Sequence, residues 1–240
     1  MRNINFVNGE IYHIYNRGVE KRNIFLDDSD RFRFIHNIFE FNDTEPATNL
    51  YYKKQLYETK QLYEAKPRKV EIVAEKRKRN LIIEILAFAL MPNHFHFLIK
   101  QLNQNGISNF MHKLGTGYTM YFNQKYERVG SLFQGTYKAV VIKDEPHFIH
   151  LPYYIHLNPL DLIMPQWREK EIKDYRKAIK FLENYRWSSF LDYIGKKNFP
   201  SVTSRRFLLD FFDGPEQYKA DTLKWLKELN LEEVKDVALE

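Results

Sequence analysis

The chain has 240 residues, 44% of them hydrophobic and 28% charged, a balance that suits a folded globular protein with a sizeable core and excludes intrinsic disorder. It has no cysteine, which excludes disulfides and thiolate metal sites. No apolar run reaches the roughly eighteen residues of a membrane span, and "MRNINFVNGE" has no signal core, so a cytoplasmic protein without membrane contact is the default expectation.

Residues 9 to 17, "GEIYHIYNR", alternate well enough for a first strand. "DDSDRFRFIHNIFEF" follows with a helical stripe of Phe34, Ile35, Ile38 and Phe41, capped from Asp28, Ser29 or Asp30. From 43 to 80 the composition turns to Lys, Glu, Tyr and Gln, and "KQLYE" occurs at 54–58 and again at 60–64. A six-residue period keeps no constant helical face, so the segment reads as a basic insertion. The net charge of the chain is +6, and between Thr44 and Arg79 ten Lys or Arg face five Glu, so most of the excess is local. That surplus suits a polyanionic partner.

"LIIEILAFALMPNHFHFLIK" reads as two apolar strands joined at Met91-Pro92-Asn93. Alternation puts His94 and His96 on one face of the second strand and Phe95, Phe97 and Ile99 on the other. "GISNFMHKLGTGYTMYFNQKYERVG" is helical, with a start signal at Ser108, and Gly115 and Gly117 suggest close approach by another backbone or a ligand. "SLFQGTYKAVVIKD" reads as a strand, and "EPHFIHLPYYIHLNP" as a helix opened by Glu145-Pro146. The rest is mostly helical and amphipathic. The order indicates an α+β fold, an antiparallel β-sheet flanked by helices, with a mostly helical C-terminal appendage. Residues 1–164 form the expected main domain with the insertion at 43–80, and 165–240 the extension.

On the helix after Asp144, steps of about 100° gather His147, His150, Tyr154 and Asn158 on one side, while Tyr153 points about 100° away from Tyr154. An ordinary polar outer face has the same pattern. Facing the strand histidines, it would instead make a site of two imidazoles, an amide and a phenol.

With these residues in view, the chain resembles the single-tyrosine HUH transposases, the insertion-sequence-200-like and REP-associated tyrosine transposases. The resemblance rests on "YHIYNRG", "MPNHFHFLI", "ISNFMHKLGTGYTMYFNQKYERVGSLFQGTYK" and "YYIHLNP", in that order. It implies an HUH, ferredoxin-like palm, with His94, His96 and Asn158 as ligands of a divalent metal ion, Mg²⁺ or Mn²⁺, and Tyr154 as the catalytic nucleophile. It also implies attack on a phosphodiester, a 5′-phosphotyrosine and rejoining to a second strand. The implied substrate is single-stranded DNA with hairpin or palindromic ends, bound by a monomer or homodimer.

A phenol near its reference pKa of about 10 needs a metal's field or a base, and His150 or His147 is a candidate proton acceptor. Arg17, Lys113, Lys125, Arg128 and Lys138 are candidate DNA-backbone contacts, and Tyr118, Tyr121 and Tyr126 either stack on bases or fill the core. The chain departs from the resemblance at Leu160-Asp161, where members often carry a small apolar residue and arginine; an acid there weakens a phosphate contact. Two alternatives stay open: a domesticated DNA-hairpin binder without transposition, and a metal-dependent hydrolase without a covalent intermediate.

Overall fold

The computed structural model describes residues 4–45 and 79–228. The expected insertion therefore lies, apart from its two ends, outside the described residues, as do 229–240 of the expected extension. At those ends Thr44 N donates to Asn80 O at 2.9 Å, so the chain leaves and re-enters the fold at one place.

Four strands form one sheet in the order β2-β3-β1-β4: β1 (Ile11–Arg17), β2 (Ile83–Met91), β3 (His94–Gln101) and β4 (Lys138–Ile142). All pairings are antiparallel. The β2–β3 turn at Pro92-Asn93 falls where the sequence put it. The expected strand across 131–144 shortens to five residues, Lys138–Ile142; before it, residues 132–134 meet the end of β1 through Val19 N to Leu132 O at 2.9 Å and Gln134 N to Arg17 O at 2.8 Å, with Leu132 and Phe133 buried.

Period-two alternation divides the sheet into two faces. The first carries Tyr12, Ile14, Phe95, Phe97 and Ile99 and is covered by α1 (Asp28–Phe41) and α2 (Gly106–Lys125). Phe34 of α1 is fully buried there against Phe95 and Tyr118, worth about 1.5–3 kcal/mol for such a side chain. The α1 cap is Asp27 rather than a residue at 28–30: its carboxylate accepts from Asp30 N, and Asp30 returns the bond to Asp27 N. Helix α2 starts at Gly106, two residues before the expected Ser108. A side chain at Gly106 would collide with the Ile82 carbonyl, its Cβ lying 2.4 Å from that oxygen. Neither of the other two helix glycines meets the expected backbone or ligand: a Cβ at Gly117 would lie 2.9 Å from the Phe41 side-chain ring of α1, and one at Gly115 would have nothing within 4 Å.

The second face receives α3 (Glu145–Leu157) and, beyond it, the C-terminal region: α4 (Tyr175–Leu182), α5 (Phe190–Tyr193), α6 (Arg206–Phe211) and α7 (Pro215–Glu228). The expected appendage shares one core with α3 and the sheet, through Tyr153, Ile155, Phe190, Tyr193, Tyr218 and Trp225. The segment "YRWSS" also caps the β2 edge: Leu90 N donates to Trp187 O at 2.8 Å and Ser189 N to Phe88 O at 3.0 Å. Those bonds cover backbone groups that an edge strand would otherwise expose.

Candidate active site

Three strands meet at the centre of the second face. Register places Tyr15 and Ala89 on either side of His96, and Arg17 and Met91 on either side of His94. The two histidine rings stand 5.0 Å apart, nearly perpendicular at 88°. Each is held at one nitrogen. His96 Nδ1 lies 2.9 Å from His13 Nε2, and His94 Nδ1 lies 2.6 Å from Asn93 Oδ1. Asn93 Oδ1 can only accept, so His94 Nδ1 carries the proton. His94 Nε2 and His96 Nε2 are buried and have no hydrogen-bond partner. An orphaned buried ring nitrogen is costly unless something else occupies its lone pair.

Both imidazoles are kept neutral. Burial, reinforced by Arg168 and Arg17 against the opposing pull of Asp161, pushes His94 down to about 4. Burial first, then His94, His13 and Arg168, holds His96 well below the usual histidine range. Neutral imidazoles with Nδ1 tied down and Nε2 unpartnered suit metal ligation. Among the described residues no group of three or more His, Cys, Asp or Glu is placed to hold a metal. Two nitrogens without such a third partner match an ion that keeps water or substrate oxygens, and not a closed zinc centre.

Helix α3 brings Tyr154 to these histidines. Its ring centroid is 6.0 Å from His96 and 6.5 Å from His13, edge-on to both. The helix runs unbroken through Pro152, and residues 151–157 are buried on every side, so the polar stripe is no solvent face. Tyr153 points the other way and stacks on Tyr218, 5.0 Å away at 23°. On that side His156 is clamped between Tyr218 Oη and Ser189 Oγ, each 2.7 Å away, and burial lowers it to about 3.

Asn158 follows one turn after Tyr154 and is fully buried, its Nδ2 donating to Tyr154 O at 2.8 Å. Its Oδ1 accepts from Arg168 Nη2 at 2.9 Å, and the same guanidinium donates through Nη1 to Tyr154 Oη at 3.2 Å. His94, His96, Tyr154 and Asn158 thus come together, joined by two residues the sequence reading did not single out, His13 and Arg168.

The remaining candidates separate. His150 Nδ1 accepts from Trp225 Nε1 at 2.6 Å, and His147 sits 3.5 Å from Asp144 in the first turn. Arg17 and Lys138 border the second face, opposite His94 and Tyr15 in register. Lys113, Lys125 and Arg128 belong to the α2 side. Lys113 Nζ is 3.5 Å from Asp43 O, and Arg128 donates to Asn123 Oδ1. Lys125, an expected backbone contact, pairs with Asp27 and the fully buried Asp30, both at 2.7 Å. Tyr118, Tyr121 and Tyr126 are core and cap residues, with hydroxyls on Ile24 O, Asp30 and Asp30.

Residues 52–158 match the family model described as "Transposase IS200 like". The match spans 107 of the 240 residues, a little under half of the chain. That segment ends on Asn158 and contains His94, His96 and Tyr154. The chain is also similar, at 11% identity and a TM-score of 0.46, to a solved REP-associated tyrosine transposase bound to a REP hairpin, covering 86% of this chain and 94% of that one. No curated protein matches it. Among the described residues no helix is long and apolar enough to cross a membrane.

Proposed function

We propose that the protein is a single-stranded DNA endonuclease and strand transferase of transposase type, acting on hairpin or palindromic ends with Tyr154 as nucleophile. The observation that carries this reading is the pair of orphaned Nε2 atoms on neutral His94 and His96 beside the buried Tyr154. The IS200-like segment supports it independently. A divalent ion on His94 and His96, Mn²⁺ or Mg²⁺, with Asn158 Oδ1 as the third protein donor, would supply Lewis-acid polarisation of the scissile phosphate.

The chain's own residues do the rest. The sheet fixes the two imidazoles, and α3, wedged between sheet and C-terminal helices, fixes the phenol relative to them. Attack forms the Tyr154 Oη–phosphorus bond and breaks the bond from phosphorus to the 3′ oxygen. The phenol gives up its proton and the leaving 3′ oxygen takes one. The 5′-phosphotyrosine keeps a phosphoester, so a second 3′-hydroxyl reverses the step without a nucleotide cofactor.

The test is adduct formation. With Mn²⁺ and a single-stranded hairpin oligonucleotide, the protein should give a species that survives boiling in detergent. Tyr154→Phe should lose it and still bind the hairpin, while Tyr153→Phe should keep it. Cleavage without an adduct in any variant would favour the hydrolase, and tight binding without cleavage under any metal the domesticated binder.

A further inference from the structure

The geometry points to Arg168 as a further catalytic residue, one that holds the attacking oxygen of Tyr154 and the amide of Asn158 together and then binds the phosphoryl oxygens; it rests on the reading of Tyr154 as nucleophile. The acid at Asp161, which looked unfavourable for phosphate, is what brings the cation in. Arg168 Nε lies 3.0 Å from Asp161 Oδ1 and Nη2 lies 2.7 Å from Oδ2, a two-pronged pairing that fixes the plane of the guanidinium. Trp167 Nε1 donates to the same carboxylate at 2.5 Å, and the Trp167 ring lies 4.8 Å from the guanidinium carbon. Asp161 and Trp167 therefore orient Arg168 from behind.

The other side of the guanidinium faces the chemistry. Nη1 reaches Tyr154 Oη at 3.2 Å and Nη2 reaches Asn158 Oδ1 at 2.9 Å. A donor on the phenol oxygen selects the direction of its remaining lone pair. Once Oη is bonded to phosphorus, the dianionic character that develops on the phosphoryl oxygens lies beside a cation already oriented. Interaction with a neutral phenol is weaker than with that charge, which is the condition for lowering a barrier. Asp161 neutralises the cation in the resting site and is a positioning residue. Lysine could reach one of the two oxygens but could not span both while keeping two bonds to Asp161.

Adduct formation is followed under single-turnover conditions with Mn²⁺ and a hairpin oligonucleotide, using full-length protein, and hairpin affinity is measured in parallel. Arg168→Ala should slow the adduct step by about 10²–10³-fold with hairpin affinity within a few-fold of wild type. Added guanidinium ion should restore part of that rate to Arg168→Ala, which a merely structural role would not allow. Arg168→Lys keeps a cation for Asp161 and serves if the alanine variant does not fold; it should still be slowed at least about tenfold. Wild-type adduct rates in Arg168→Lys, or in a folded Arg168→Ala, overturn the role of Arg168 and leave the nucleophile reading standing. A wild-type protein that makes no adduct overturns the nucleophile reading and this proposal with it.

Discussion

Removing the acceptor behind His96 should weaken metal binding while leaving its first ligands in place. His13 is fully buried on β1, its Nε2 is 2.9 Å from His96 Nδ1, and the two rings stack at 5.1 Å and 17°. His13→Phe keeps a flat ring of similar size and deletes the atom that would accept the Nδ1 proton of His96 in the tautomer whose Nε2 is open to a metal. Two costs follow. His96 Nδ1 is left unpartnered in a side chain only 1% exposed, about 1–3 kcal/mol of folding stability. The ring also loses the bond that keeps its proton off Nε2, and losing such a supporting partner weakens a metal about 10–100-fold, or about 1.4–2.7 kcal/mol. Calorimetric titration of Mn²⁺ into wild type, His13→Phe and His112→Ala tests this, the last being an exposed histidine on α2 that should change nothing. Circular dichroism checks that each variant is folded. Equal Mn²⁺ affinity in wild type and folded His13→Phe would refute the reasoning, because His96 would then not bind through an Nε2 that His13 keeps bare.

Acid should destabilise the fold through His156: burial lowers it to about 3 against about 6.5 in an unfolded chain, so the unfolded state takes up protons first and stability falls as pH drops from about 6.5 towards 3. The full swing is about 5 kcal/mol, nothing from this group changes above pH about 7, and an unchanged urea midpoint between pH 7.5 and 5 would contradict it. Lys125→Met should cost about 3–5 kcal/mol in urea unfolding, since it strips the counter-charge from buried Asp30. Hairpin binding by the folded fraction should not change, and a specific loss of affinity would return Lys125 to the DNA contacts. Replacing 46–78 with a short Gly/Ser linker should leave the thermal midpoint within a few degrees, because Thr44 and Asn80 already meet. It also removes nine Lys or Arg against four Glu, so hairpin affinity should drop mainly at low salt; an unfolded product would make the segment part of the core.

The parts of the site that were legible in the sequence depend on local periodicity. "HFHF" presents its imidazoles together if it is a strand, and "YYIHLN" places Tyr154 one turn from Asn158 with Tyr153 turned about 100° away if it is a helix. Both elements formed within a residue or two of the expected bounds. His13 was hidden because alternation in "IYHIYNR" fixes which residues share its face but not which strand lies alongside. Only the register, with His13 opposite Leu98 and therefore diagonal to His96, makes the contact. The pairing of Lys125 was hidden for the same reason, its partners Asp27 and Asp30 lying far back along the chain. Arg168 lies ten residues beyond Asn158, in a short 3₁₀ turn at Pro165–Glu169 that no periodic pattern announces.

The placement of the C-terminal region follows from α3 itself. A helix whose residues 151–157 are all buried cannot lie on a sheet with its back to water, because Tyr153, Ile155 and Leu157 would stay exposed. Something apolar had to cover it, and the amphipathic helices after residue 174 supply Phe212, Tyr218 and Trp225 for that purpose. The same covering layer anchors the chain that carries Arg168 back to Asp161 and Tyr154. The candidate site groups therefore share one sheet face, although both faces carry a core. Phe95 and Phe97 hold β3 from the α1–α2 side, and on the other side the Nε2 atoms of His94 and His96 carry no hydrogen bond that a metal would have to displace.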